Sequence, residues 1–455
     1  MIKELISEKE KSFLHPSATG SYDELATKRD ISEEDSSWRT PFQIDRDRII
    51  HSKAFRRLMH KTQVFIRPDS EHLRNRMTHT MEVMQIARTI ARAIGANEDL
   101  TEAIALGHDL GHTPFGHTGE EVIKEKLSKY GFKFAHYIQS WRIVAYLERY
   151  FRFQEGLNLT KAVEFGILRH SGKYNNGEES VEVWDKEGKK ITIEFPQTLE
   201  EKIVRIADDI AWINHDWDDG IRSGLLTDSL LGANLIRNLG THQAIRIIKM
   251  INDVINYFRN HGEIRFSPKM EELKNNLVEK IRRYLWDNEV IILYNEEAKR
   301  IIEEVFDYFM LHPEKLPKET RERRNLMESS LEPKKALVIA DYISGMTDDW
   351  LFKNFETYLY SHFSRFKELQ IKKSYNWIIS LEIGENKGQV IRIEKPEDLK
   401  LEVGSKLKVF SMKVENGEEI LHEEKGTVIS QVGDQVKIEA LSNEIRQGDI
   451  LVIED

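Results

Sequence analysis

Histidine and aspartate side chains recur in this chain at spacings that could bring them around one metal ion. His79, the pair His108 and Asp109, and Asp208 lie on stretches with the pattern of three separate helices. A neutral imidazole and a carboxylate are donors that divalent first-row metals accept. One inward-facing histidine alone is more often a buried core residue with satisfied hydrogen bonds. The joint pattern is more specific, and it predicts a metal site.

The residues that follow His79 have the periodicity of an α-helix with one buried face. Arg76 and His79 extend this apolar stripe toward the start of the helix, so both side chains are expected to face the core. Gly95 is expected to end the helix, and Asn97 to cap the next one. His108 shares a face with the apolar positions of that next helix. The stripe positions in the two helices are Val83, Ile86, Ala87, Ile90, Ala91, Ile94, Leu100, Ile104 and Gly107.

Residues 198–217 have the pattern of a third helix. Asp208, Trp212 and Asp216 follow one another at four-residue intervals on one side of it. Burying a carboxylate costs roughly several kcal/mol unless a cation or a partner offsets the loss of water. Inward-facing aspartates therefore favour a metal or ligand site. The alternative is that Asp208 and Asp216 face solvent or pair with Arg205.

These residues, with several further blocks, resemble the HD-domain metal-dependent phosphohydrolases. More narrowly, the chain is similar to the bacterial deoxyguanosine-triphosphate triphosphohydrolase (dGTPase-like) family and its vertebrate dNTP-hydrolysing relative. The matching blocks occur in family order between about residues 38 and 370. They are Asp45–Ser52, Phe55–Leu58, Lys61–Phe65, Asn75–His79, Gly107–His117, Ala207–Trp212, His215–Asp216 and Asp341–Asp348. The resemblance implies a mainly α-helical fold built on an HD-domain helical bundle.

The resemblance assigns one divalent metal ion to His79, His108, Asp109 and Asp208. Two imidazoles and two carboxylates leave positions for water or phosphate oxygens on a six-coordinate ion. That set suits manganese, magnesium, iron or cobalt better than tetrahedral zinc. The chain has no cysteine, so a thiolate zinc site is excluded.

His117 and Glu120, one helical turn apart, match the catalytic histidine–carboxylate pair of the family. They are expected to act as a general acid and the group that orients it. The resemblance implies that water attacks the α-phosphorus, and that a deoxynucleoside and intact tripolyphosphate are released. The alternative for His117 is a histidine that caps the glycine-rich start of its helix.

The resemblance assigns the remaining site residues to the substrate. Arg76, His112 and His136 are expected to contact the phosphates, although a purely structural role is an equal alternative for His136. Asp216 matches the residue that binds the sugar 3′-hydroxyl. Trp212 stands where the family normally has a tyrosine. An indole keeps a stacking surface but replaces the hydroxyl with an N–H that can only donate.

Three functions compete at this point. The first is hydrolysis of dNTPs, either dGTP or several of them, to deoxynucleoside and tripolyphosphate. The second is another HD-type reaction, by a phosphodiesterase or nucleotidase. The third is a degenerate nucleotide-sensing or DNA-binding module. The combination of Arg76, His117, Glu120 and Asp216 favours the first over the second, and intact metal ligands argue against the third.

Composition restricts the partners. The 455-residue chain carries a net charge of −10, so single-stranded DNA is a conceivable partner that the charge does not indicate. No apolar run approaches twenty residues, and the absence of cysteine fits a reducing compartment, so a cytoplasmic protein without membrane contact is expected. By resemblance, we expect a dNTP substrate, a dNTP activator and a homo-oligomer. The arginine-dense block Arg39–Phe65 is the expected interface segment, unless Arg46 and Arg48 simply pair with Asp45 and Asp47.

Two domains are expected, with residues 1–374 forming the phosphohydrolase domain and residues 375–455 a small all-β barrel or sandwich. A β-hairpin, at about residues 175–196, is expected as an insertion between helices of the first. Alternating apolar and polar residues with glycine-containing turns predict the second. Acidic residues crowd one stretch of this tail, so assembly or partner docking is expected rather than DNA binding. They are Glu415, Glu418, Glu419, Glu423 and Glu424.

Overall fold

The computed structural model describes residues 2–34, 36–64, 72–149, 155–171, 180–323, 326 and 331–355, and the backbone of six strands after residue 378. The chain divides into two compact units, Met1–Tyr360 and Ser361–Asp455. The first unit is mainly helical, as predicted. No helix among the described residues is long and apolar enough to cross a membrane.

The helices of the first unit are numbered in chain order. They are α1 (Ile2–Phe13), α2 (Pro41–His51), α3 (Lys53–Arg57), α4 (Arg76–Ile94), α5 (Glu98–Gly107), α6 (Gly116–Ser128), α7 (His136–Arg142), α8 (Lys161–Arg169), α9 (Leu199–Arg222), α10 (Gly232–Leu239), α11 (Gln243–His261), α12 (Pro268–Ile281), α13 (Glu289–Leu311), α14 (Lys318–Arg323), α15 (Glu332–Ser344) and α16 (Asp348–Phe355). Short 3₁₀ turns lie at Leu58–His60, Asp228–Leu231 and Pro313–Lys315, and π-helical turns at Ile143–Leu147 and Arg282–Trp286.

Helix α4 ends and helix α5 begins at the predicted residues. The Asn75 side chain accepts a hydrogen bond from the Thr78 amide at 3.0 Å and so caps α4. Gly95 ends α4 in a left-handed conformation, with φ 77°. The Asn97 side chain caps α5 by accepting from the Leu100 amide at 3.1 Å. The apolar stripe of both helices is buried, which confirms the predicted inward face.

Helix α9 packs against α4 and α5 and completes the helical layer that carries the metal-ligand candidates. It is longer than the predicted 198–217, because buried side chains continue beyond Asp216. Trp217 is buried, and Asp219 pairs with Arg74 at 2.5 Å. These contacts hold the last turns of the helix in place up to Arg222.

The predicted hairpin is present between α8 and α9. Strand β1 (Ser180–Trp184) pairs antiparallel with β2 (Lys190–Glu194), and the turn falls within the predicted segment. Residues 172–179, at the start of the predicted insertion, lie outside the described residues.

The described backbone of the second unit consists of antiparallel strands. They are β3 (Ile379–Leu381), β4 (Ile391–Ile393), β5 (Lys406–Glu415), β6 (Glu418–Val432), β7 (Gln435–Ala440) and β8 (Ile450–Ile453). Strand β3 pairs with β4, and the other four form a sheet in the order β7-β6-β5-β8. Three expectations for this segment stay predictions: that it closes into a small barrel or sandwich, that it begins after residue 374, and that it serves in assembly or partner docking.

Candidate active site

The four predicted metal ligands converge from three places in the fold. His79 comes from α4, His108 and Asp109 follow α5, and Asp208 comes from α9. The Nε2 atom of His79 lies 3.1 Å from Asp208 Oδ1 and 3.5 Å from Asp109 Oδ2. The Nε2 atom of His108 lies 3.4 Å from Asp109 Oδ1 and 3.9 Å from Asp208 Oδ1. Two imidazole nitrogens and two carboxylates therefore face a common point.

His79 and His108 each form a hydrogen bond through Nδ1, which leaves Nε2 of each ring for a metal. The Nδ1–H of His108 donates to the Ala105 carbonyl at 2.6 Å, and its buried Nε2 has no hydrogen-bond partner. The Nδ1 of His79 shares a hydrogen bond with His215 Nε2 at 2.8 Å, which orients the ring. A buried imidazole nitrogen without a partner costs stability, and a cation removes that cost. The donor set thus fits a divalent ion. His215 is an orienting residue that the sequence does not predict.

Local charges determine the ionisation of these groups. Burial by itself lowers the pKa of His79, but the hydrogen bond to Asp208 and the charge of Asp109 outweigh burial and raise it. Burial raises the pKa of Asp109, but its electrostatic interactions with His108, His112 and Arg76 lower it well below its usual range. The pKa of Asp208 is also lowered, because its hydrogen bond with His79 outweighs burial. The site therefore holds ionised carboxylates, which favour a bound cation.

His117 and Glu120 lie on the first turns of α6, next to His136. The Nδ1 of His117 lies 3.3 Å from Glu120 Oε2, while three-quarters of the His117 side chain is exposed. Glu120 also accepts from the backbone amide of His136 at 3.0 Å and from its Nδ1–H at 3.1 Å. Burial raises the pKa of Glu120, but the charge of His136 and the hydrogen bond with His117 lower it far more. The carboxylate is ionised and orients two imidazoles.

Arg76 and His112 surround Asp109 on the side facing α6. Arg76 donates to Asp109 Oδ2 at 2.9 Å, and its buried Nε has no hydrogen-bond partner in the described part of the chain. His112 Nε2 lies 3.0 Å from Asp109 Oδ1, and its buried Nδ1 has no hydrogen-bond partner there either. Gly116 lets the backbone approach this arginine, because a Cβ there would lie 2.8 Å from Arg76 Nη2 and φ is 57°. The unpaired nitrogens could interact with an anionic ligand.

The segment between Asp109 and His112 is held tightly against α7. The Gly111 amide donates to Ser140 Oγ at 2.8 Å, and that hydroxyl donates to the His108 carbonyl at 2.6 Å. A Cβ at Gly111 would lie 2.2 Å from the Ser140 amide nitrogen, so glycine alone fits. This close approach stacks the rings of His112 and His136, with centroids 4.2 Å apart and planes 10° apart.

The two residues predicted to contact the sugar, Trp212 and Asp216, lie on α9. They are next to Trp286, which the sequence analysis does not predict as a site residue. The Trp286 Nε1–H donates to Asp216 Oδ2 at 3.3 Å, and its ring lies 5.7 Å from that of Trp212. Burial and the charge of Asp219 raise the pKa of Asp216 to about 7. The Nε1–H of Trp212 donates to Asp209 Oδ1 at 3.1 Å, so Asp209 has a partner of its own. Asp208, not Asp209, faces His79.

Comparisons with known proteins show the family of this chain. The family model described as HD domain matches residues 76–213, and the one described as phosphohydrolase-associated domain matches residues 264–357. A relative from Caldanaerobacter subterraneus subsp. tengcongensis, named deoxyguanosinetriphosphate triphosphohydrolase-like protein, is 45% identical over 365 residues, covering 79% of this chain and 96% of the relative. The chain belongs to this dGTPase-like family of HD-domain proteins.

Two more relatives carry the same name. One from Clostridium tetani is 42% identical over 337 residues, 72% of this chain and 88% of the relative. One from Desulfatibacillum aliphaticivorans is 39% identical over 359 residues, 78% of this chain and 97% of the relative. HD domains bind divalent metals, and the matched range contains the His79, His108 and Asp109 cluster that could hold one. The predicted family is thereby confirmed.

Proposed function

We propose that this HD-domain protein hydrolyses deoxynucleoside triphosphates to a deoxynucleoside and tripolyphosphate. The observation that carries the proposal is the convergence of two groups on Asp109. One group is the metal-ligand set, and the other is the cluster of Arg76, His112 and the His117–Glu120–His136 array. The first suits a cation that binds phosphate oxygens, and the second supplies positive charge and a proton donor beside it.

His79, His108, Asp109 and Asp208 would hold the divalent ion. When bound, such an ion polarises a phosphoryl oxygen and lowers the pKa of a bound water. Arg76 would balance the negative charge of the phosphates through its buried Nε, which has no hydrogen-bond partner among the described residues, and His112 would contact them beside it.

His117 would complete the reaction at the leaving group. A bond forms between water oxygen and the α-phosphorus, the bond from phosphorus to the sugar 5′-oxygen breaks, and the leaving oxygen takes a proton from His117. The attacking water gives up a proton to solvent, and His117 regains one from solvent before the next turnover. Glu120 holds His117 through Nδ1, so its other ring nitrogen is available to the substrate. The exposure of the His117 side chain lets a substrate reach it without a change in the fold.

Sugar recognition would come from α9 and the turn that carries Trp286. Asp216 would accept a hydrogen bond from the 3′-hydroxyl through Oδ1, which is buried and has no hydrogen-bond partner among the described residues. Trp212 would present its ring to the sugar, in place of the tyrosine usual in the family. Its Nε1–H is already engaged with Asp209.

One assay separates this proposal from the two alternatives. The purified protein is incubated with each dNTP and Mn²⁺, and the phosphorus products are identified. Tripolyphosphate supports the proposal. Release of pyrophosphate or phosphate favours another HD-type reaction, and no product favours a nucleotide-sensing module.

A dNTP activator and a homo-oligomer are part of the proposal. A cavity of about 700 Å³, lined by none of the proposed metal ligands, has basic, acidic and aromatic residues of the first unit in its wall. Lys53, Arg56 and Arg57 from α3 contribute its positive charge, and Tyr146 and Tyr342 offer ring surfaces. Measuring hydrolysis of one dNTP with and without a second tests activation, and light scattering under both conditions tests assembly.

A further inference from the structure

The side chain of Asp348, the first residue of α16, is buried and binds two distant parts of the chain. Its Oδ1 accepts a hydrogen bond from the backbone amide of Phe115 at 3.0 Å. Its Oδ2 accepts from the backbone amide of Thr62 at 3.0 Å and also from the Thr62 hydroxyl. Loss of this carboxylate would leave buried donors without an acceptor, which is costly. Asp348 therefore holds the segment before α4 and the turn before α6 against the start of α16.

Both of these segments lead directly into helices of the candidate active site. Phe115 is the residue before α6, and His117 follows it two residues later. Thr62 pairs with Asn75 in an antiparallel bridge, and Asn75 caps α4, which carries His79. One carboxylate thus connects the start of the helix that carries the proposed acid with the start of the helix that carries a proposed metal ligand.

The backbone conformation at Phe115 requires support from its surroundings. Phe115 has φ 60° and ψ 23°, and Gly116 after it also has a positive φ, of 57°. The left-handed conformation is unfavourable for a residue with a Cβ, and it persists where neighbouring contacts fix it. The hydrogen bond from the Phe115 amide to Asp348 is such a contact. It stabilises the turn that sets the direction of the first residues of α6.

Lys61 connects the same three parts of the chain beside Asp348. This buried side chain donates from Nζ to the Ser344 carbonyl at 2.8 Å and to the His112 carbonyl. A buried ammonium group needs acceptors of this kind. Residues 344–348 are thus linked to the turn between α5 and α6 twice, through Lys61 and through Asp348.

We propose that Asp348 is a positioning residue, which fixes the turn at Phe115 so that His117 and Glu120 lie correctly beside the substrate. Asp348 lies in the phosphohydrolase-associated range of the chain, and Phe115 lies in the HD-domain range. The first range therefore supports the catalytic turn of the second without contacting the substrate. The effect on turnover rests on the proposed function, whereas the effect on the turn does not.

The first test compares the kinetics of Asp348→Asn with those of the natural protein. The variant keeps the size of the side chain, but an amide has one accepting oxygen and one donating NH₂ group, so one of the two backbone amides loses its acceptor. With dGTP and Mn²⁺, kcat should fall roughly 10- to 100-fold, the loss expected when a catalytic group moves by about 1 Å. The KM and the Mn²⁺ held by His79, His108, Asp109 and Asp208 should not change, because Asp348 contacts none of these ligands.

The matched control is Asp349→Asn. Asp349 is the next residue of α16, its side chain is exposed, and it lies 3.7 Å from His60. This variant should keep the kcat of the natural protein. An unchanged kcat in Asp348→Asn, a fall that Asp349→Asn shares, or a fall accompanied by loss of metal would overturn the proposal.

Two variants of Thr62 test the same contact, so the question is decided even if Asp348→Asn does not fold. Thr62→Val removes the hydroxyl that donates to Asp348 and keeps the shape of the side chain. Thr62→Ser keeps the hydroxyl. The kcat should fall in Thr62→Val, with KM unchanged, and stay close to that of the natural protein in Thr62→Ser. Equal kcat values in the two variants would overturn the proposal.

Hydrogen exchange separates this proposal from the proposed function, because it needs no substrate. Amide exchange is measured by mass spectrometry on the full chain loaded with Mn²⁺. The peptide that contains Phe115 should exchange faster in Asp348→Asn or Thr62→Val than in the natural protein, while peptides from α11 should not. Unchanged exchange at Phe115, or faster exchange throughout the chain, would overturn the positioning role. Faster exchange at Phe115 alone, in a protein that releases no tripolyphosphate, would refute the proposed function and leave the hold on the turn in place.

Discussion

Glu120→Gln is the most informative single change, because it keeps the shape of the side chain and removes its charge. Glu120 is largely buried and contacts both His117 and His136 through its carboxylate. A hydrogen bond to a charged group contributes about 1.5–3 kcal/mol and a neutral one about 0.5–1.5 kcal/mol. The change should therefore cost about 1–2 kcal/mol in orienting the acid. Since about 1.4 kcal/mol corresponds to a tenfold change in rate, turnover should fall roughly 5- to 30-fold.

The assay is steady-state release of tripolyphosphate from dGTP, with metal content measured on the same sample. The ion held by His79, His108, Asp109 and Asp208 should be retained, because Glu120 is not one of its proposed ligands. Glu121→Gln is the control, since Glu121 is the next residue on α6, is exposed and pairs with Lys299 at 3.2 Å. It should behave like the natural protein. Full turnover in Glu120→Gln would refute the orienting role, and loss of the ion bound by His79 and His108 would show that Glu120 supports the metal instead.

Four further predictions follow from the site. Asp208→Ala should lose both hydrolysis and bound metal, and full metal content would transfer the ligand role to Asp209. Trp212→Tyr should raise the preference for dGTP over GTP or leave it unchanged, and a variant that prefers GTP would show that the ring is not at the sugar. Asp216, with a pKa raised to about 7, is protonated below that pH and is a better hydrogen-bond acceptor for the 3′-hydroxyl above it. The KM for dGTP should therefore fall as the pH rises through 7. The KM for dideoxy-GTP, which has no 3′-hydroxyl, should not. A chain that ends at Ser374 should keep its metal and change its assembly or its response to nucleotides, whereas loss of single-stranded DNA affinity alone would contradict the docking role.

The raised pKa of Asp216 also has a consequence for stability. A carboxyl group whose pKa is higher in the folded chain holds its proton more tightly there than in the unfolded chain. The stabilisation that Asp216 contributes to the folded state is therefore present at low pH. It is lost as the pH rises from the ordinary pKa of an aspartate through about 7. This residue opposes folding at neutral pH and above, which fits a group kept for binding and not for stability.

The elements that follow local rules could be predicted from the sequence. Helix α4 has a continuous apolar stripe and a terminal glycine, and both predicted features are present in the structure. The hairpin was predictable because its alternation and turn are local. The inward direction of His79 and His108 followed from the same periodicity, and both are buried.

The features that depend on distant partners could not be predicted. Trp286 meets Asp216 only because a π-helical turn follows α12, and nothing near Asp216 in the sequence indicates it. The charged run in α2 shows the same limit. Asp45 pairs with Arg29 at 2.5 Å and Arg48 with Glu33, both outside the run, whereas Arg46 pairs with Asp47 within it. Adjacent residues of a helix point in different directions, so each of these side chains pairs with the charged group that lies nearest to it in the folded chain.

The central claim is that water attacks the α-phosphorus of a dNTP at the site around Asp109. Hydrolysis in water labelled with oxygen-18 tests this directly, with both products analysed by mass spectrometry. The heavy oxygen should appear in tripolyphosphate and be absent from the deoxynucleoside, and His117→Ala should form both products roughly 10²- to 10⁴-fold more slowly. Heavy oxygen in the deoxynucleoside, or pyrophosphate in place of tripolyphosphate, would contradict the proposed reaction.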